Sequence, residues 1–278
     1  MKAFGLTLRI AGATLALLAL QTLWSRPRNF AELCLPVMPG LLVVLALGLV
    51  AASSSQQGWK LSGTLFILYF AINQLNILDE ALLFKVGLKA PEVFRMLASD
   101  FVTSLLFAPL LVLILGCWKK TLQEGPGPLV PRSPANWAGR ILLGDLLYIL
   151  CYFVAGMIVF PFVKDFYAGV ELPGAASVFE MEIFRGLVYV AAGLAVVHGM
   201  KGERGKAAMA LGLSFPILAS VAPLLLPNPY LPGDIRLAHG FEIGISNLAY
   251  GALLGFLLTR KASPAIDEQQ TGSAESLP

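Results

Sequence analysis

SVFEMEIFRGLVYVAAGLAVVHGMK, residues Ser177–Lys201, decides the fold. The run is long and apolar enough to cross a bilayer, yet Glu180, Glu182 and Arg185 sit in its first turns. Charges at membrane depth are costly, so ionisable groups inside a span mark a candidate functional site. Two further apolar runs carry the same kind of load. Leu61–Phe84 holds Asn73, Gln74, Asn76, Asp79 and Glu80, and Leu237–Thr259 holds His239, Glu242, Ser246 and Asn247.

The rest of the chain agrees with a membrane protein. Of its 278 residues, 57% are hydrophobic and 13% charged, and the mean hydropathy is +0.75. Soluble domains carry about twice that share of charge. The ~20-residue span rule gives about eight transmembrane helices: 5–24, 35–53, 61–84, 99–118, 138–163, 177–200, 206–226 and 237–259. The expected fold is an all-α, polytopic helix bundle forming one membrane domain over 1–261. The polar tail 262–278 lacks aromatics and is expected to be disordered and cytoplasmic. The proline- and glycine-rich GPGPLVPRSP stretch, between Lys119 and Trp137, is expected to divide the first four spans from the last four. The first span is followed by QTLWSRPR, which holds no small-x-small cleavage site, so it reads as uncleaved. Arg9 is expected to snorkel toward its start.

Lys and Arg are more frequent in the segments that lie inside when the N-terminus is cytoplasmic, which places both termini inside. A bacterial inner membrane is the expected location. The net charge of +3 is small and implies no nucleic-acid partner. Cys34, Cys117 and Cys151 have no metal-ligand spacing. No phosphate-binding glycine loop or dinucleotide fingerprint is present, so no cofactor is expected. The expected partners are the lipid bilayer and either a membrane-borne peptide or a small polar solute.

Alternating topology puts Glu180, Glu182 and Arg185 in the outer half of their span. His239, Glu242, Ser246 and Asn247 fall there too, as does Glu80. Asn73, Asn76 and Glu80 share one helix face at i, i+3, i+7. Agreement in depth among three helices suggests one cluster of Glu180, Arg185, His239, Glu242 and Asn247, with Glu80 beside it. Gly240, Gly244, Gly251 and Gly255 form a small-residue stripe next to this face, suited to close helix packing.

Each group also has a structural reading. Ser177 and Glu180 have the spacing of a capping box. Glu182 and Arg185 at i, i+3 can neutralise each other. His239 near Arg236 suits a membrane boundary, His198 a helix end, and Asp145 with Arg140 an interfacial pair. Tyr148 and Tyr152 share a face with Asp145.

EMEIFRG, Glu180–Gly186, resembles the first motif of the CPBP family, the CAAX-protease and bacteriocin-processing intramembrane proteins. Glu180, Phe184, Arg185 and Gly186 fall in register, and Met181 stands where that family has a second glutamate. In the later motifs, Leu194 stands before His198 where Phe is expected, and Ile243 follows His239 where Asn or Asp is expected. The resemblance implies a glutamate-dependent intramembrane hydrolase. The residues alone leave two other classes open. One is a proton-coupled or polar-solute transporter, and the other is a non-catalytic membrane scaffold.

Overall fold

The structure is a computed structural model, and it describes residues 2–25, 27–76, 83, 89–119, 129, 132–168, 172–200, 204–227 and 231–259. Asp79, Glu80 and the tail 262–278 lie outside these residues. Among them the fold is helical, with one isolated bridge, Ser54 to Met200, in place of any sheet.

The helices are α1 (Lys2–Ser25), α2 (Phe30–Cys34), α3 (Val37–Ser53), α4 (Gly58–Tyr69), α5 (Ala90–Ile114), α6 (Pro134–Tyr167), α7 (Ala175–Gly199), α8 (Arg204–Pro216) and α9 (Gly233–Leu258). Among the described residues seven segments are long and apolar enough to cross a membrane. Of the expected span at 61–84, the described residues cover α4 and the turns after it as far as Asn76. Large apolar side chains such as Phe162, Met157, Ile158 and Leu142 point outward from α6. An apolar exterior of this extent suits lipid and not water. At ~1.5 Å per residue α6 is about 50 Å long, well beyond the roughly 30 Å hydrocarbon core, so its ends reach the polar regions.

Helix ends sort into two sets. At one end Arg9 donates to the Leu115 carbonyl after α5 (2.7 Å), and Ser55 N–H, after α3, donates to the Gly199 carbonyl of α7 (2.7 Å). At the other end Tyr167 of α6 meets His239 of α9, and Arg236 donates to Leu226. We call these the Arg9 end and the Tyr167 end. Arg9 caps the orphan carbonyls of a neighbouring helix, which is a more specific task than snorkelling. Arg140 does the same for Leu257, so the expected Arg140–Asp145 pair does not form.

The glycine stripe packs closely only toward the Arg9 end. A Cβ on Gly251 would stand 2.5 Å from the Leu211 carbonyl oxygen, and one on Gly255 would stand 2.5 Å from the Ala208 Cα. Neither backbone can yield. On Gly244 and Gly240 the nearest atoms would be 3.6 and 3.9 Å away. The two helices therefore splay toward the Tyr167 end, leaving an apolar cleft of about 680 Å³ lined in part by Pro216, Ile217, Gly240, Phe241 and Gly244.

The splay begins where α8 changes register. Ile217–Val221 is π-helical and is followed by a last α-turn, Ala222–Leu224. The Ala222 N–H goes back to Ile217, and Pro223 has no N–H, so neither serves the Leu218 carbonyl. The Asn73 side-chain amide does so instead, at 2.7 Å. Asn73 lies in a second π-helical stretch, Phe70–Leu75, which continues α4. The sequence reading expects a plain transmembrane helix there. π-Helical turns are frequent at functional sites.

Two outcomes follow. Gly251→Leu and Gly255→Leu should each destabilise the bundle by about 1–3 kcal/mol or more, as overpacking does, seen as a lower unfolding temperature in detergent. Asn73→Leu leaves a buried carbonyl without a donor and should cost about 1–3 kcal/mol, measured the same way.

Candidate functional site

The polar residues toward the Tyr167 end fall into two groups. The first lies between α6 and α9. His239 Nδ1 is 2.8 Å from Glu242 Oε2, and His239 Nε2 is 2.8 Å from the Tyr167 hydroxyl. His239 and Glu242 sit three residues apart on one face of α9, and Tyr167 closes the set from the last residue of α6. A carboxylate only accepts, so Nδ1 carries the proton. The Nε2 of a neutral imidazole then accepts from the tyrosine. Side-chain exposure is 17% for His239 and 13% for Glu242. Gly156 makes room for the acid, since a Cβ there would meet Glu242 Oε1 at 3.4 Å.

The second group lies on α7. Glu182 is fully buried and Arg185 nearly so, and Arg185 Nη1 donates to Glu182 Oε1 at 3.1 Å. The i, i+3 neutralisation open in the sequence is formed. Glu180, which the resemblance puts in the site, is exposed. Among the described residues no bond joins it to Arg185, His239 or Glu242. The capping box at Ser177 is not formed either, because α7 starts earlier, with Gly174 as its N-cap.

A tyrosine cluster lies beside the second group. Tyr148 of α6 stacks on Tyr189 of α7 with ring centres 4.9 Å apart and meets Tyr250 of α9 edge-on at 5.3 Å. It is within electrostatic reach of Arg185 and Glu182. Asn247 is buried. Its amide donates to its own helix at Ile243, and its Oδ1 has no partner among the described residues. With Ser246, Tyr148, Tyr152 and Tyr250 it borders a small polar pocket. One turn below Tyr148, Asp145 is buried, and its Oδ1 has no partner among the described residues. It presses on Gly186, where even an alanine Cβ would collide with that oxygen.

Polar groups thus follow the α6–α9 seam from Tyr167 through His239 and Glu242 to Tyr152, Ser246, Asn247, Tyr148 and Asp145. Sequence reasoning gathered His239 and Glu242 but missed Tyr167, which lies on another helix and looks like an ordinary interfacial tyrosine. It also read Asp145 as half of an interfacial pair with Arg140. The signal available there was Tyr148 and Tyr152 on the same face.

Arg185→Leu should leave Glu182 as an uncompensated buried charge, at about 3–5 kcal/mol. Glu182→Gln in that background should recover much of the loss, and Glu180→Gln should recover none, as read by thermal unfolding in detergent. Comparison of the chain with protein-family models, with curated proteins and with solved structures finds no match.

Proposed function

We propose that this integral membrane protein is a proton-coupled carrier of a small polar solute, with the His239–Glu242 pair as its proton acceptor. The observation that carries the reading is the hydrogen-bonded sequence Tyr167–His239–Glu242, which leads from the bundle end into its interior. A proton taken up at Nε2 makes an imidazolium, and the proton on Nδ1 then passes to Glu242. Ionisable side chains in such series inside membrane spans serve proton relays in pumps and transporters. The facing π-helical interruptions support the same reading, because carriers bind substrate where spans are broken. By ~1.5 Å per residue both interruptions start about 20 Å from the Arg9 end of their helices, at matching depth. We assign the Arg9 end, and with it both termini, to the cytoplasm of a bacterial inner membrane, on the distribution of Lys and Arg.

The second reading is the intramembrane hydrolase that EMEIFRG implies. The His239–Glu242 pair favours it to the extent that such a pair can activate water. Arg185, however, is engaged by Glu182, and Glu180 is exposed, so the residues that carry the resemblance do not converge on that pair.

The test is solute-driven proton movement in proteoliposomes holding a pH-sensitive dye. Gradients of small amines and zwitterions should change the internal pH with the wild-type chain. Glu242→Gln and His239→Asn should abolish the response while the protein stays folded. A response that survives both changes would remove the relay. Cleavage of a membrane-borne peptide that requires Glu242, without proton flux, would select the hydrolase.

A further inference from the structure

We infer that Arg132, Arg140 and Arg204 form a binding site for the phosphate of an anionic phospholipid at the Arg9 end of the bundle. The three come from separate places in the chain and meet around the last turn of α9. Arg140 donates to the Leu257 carbonyl, and Arg204 donates to the adjacent Phe256 carbonyl at 2.8 Å. Arg132 lies within electrostatic reach of Arg140 and rests on the Trp137 ring, 5.8 Å from its centre. Among the described residues no carboxylate pairs with any of them. Two carbonyls with partial negative charge do not balance three full positive charges. The Nε atoms of Arg132 and Arg204 are buried and unpartnered, and donors remain on all three guanidinium groups. A planar donor fork matches phosphate oxygens.

The depth fits a lipid headgroup. Trp59 and Trp118 pack edge-on at 5.0 Å at this end, and Trp137 lies in the first turn of α6. Tryptophans gather at the membrane–water boundary. A cationic cluster at that level meets headgroup phosphates, and the added attraction of an anionic lipid is about fivefold in affinity per arginine. The inference is independent of the transport reading, which concerns the opposite half of the bundle.

The experiment is thermal unfolding of the full chain in a neutral detergent as lipid is added. Phosphatidylglycerol should raise the unfolding temperature, and phosphatidylcholine should not. Among the described residues Arg132→Gln breaks no hydrogen bond, so its fold should survive. It should shift the phosphatidylglycerol midpoint about fivefold to higher lipid, and Arg132→Gln with Arg204→Gln should shift it further. An equal response to phosphatidylcholine, or an undiminished response to phosphatidylglycerol in Arg132→Gln, would overturn the site. The same response to inorganic phosphate alone would assign the cluster to a free anion and overturn the lipid.

Discussion

The Leu218 carbonyl has lost its backbone donor, and in hydrocarbon no water can replace it. Ala222 reaches past it to Ile217, and Pro223 has nothing to give, so the bond comes from Asn73 on another helix. That contact ties the π-helical part of α4 to the π-helical part following α8. It also sets where α8 turns away from α9. The close backbone contact at Gly251 and Gly255 and the cleft at Gly240 and Gly244 are two ends of that same divergence.

The same constraint organises the ionic groups. Arg185 could not stand alone at its depth, and Glu182 one turn away neutralises it. Arg9, Arg140 and Arg204 each end on a carbonyl that its own helix cannot satisfy. These five charged side chains therefore have structural work. Against that background the unpartnered Asp145 oxygen and the half-covered His239–Glu242 pair stand out, since nothing in the packing requires them. They lie on one seam, and the proposed proton path follows it.

The two halves of the bundle differ in design. At the Arg9 end, α8 and α9 touch backbone to backbone, and arginines cap the helix ends. At the Tyr167 end the helices part, and titratable groups line the α6–α9 seam. A rigid base and a looser, polar opposite half suit a protein that must change shape on one side only. The two π-helical turns lie near the boundary between these regions.

Much of this was legible in the sequence. Apolar runs of bilayer length specify spans by themselves, because a backbone in lipid has few alternatives to a helix. Gly251 and Gly255 announced a close contact, and His239 and Glu242 share a face by spacing alone. Other features depended on which helices become neighbours. Glu180 and Glu182 are two residues apart on α7, and only packing decides that Glu182 turns inward and Glu180 outward. Tyr167 joins His239 across 72 residues of chain. The register shifts at Phe70 and Ile217 leave no mark in hydropathy. Asn73 meets the Leu218 carbonyl between them, and a contact between distant helices is a property of the assembled bundle.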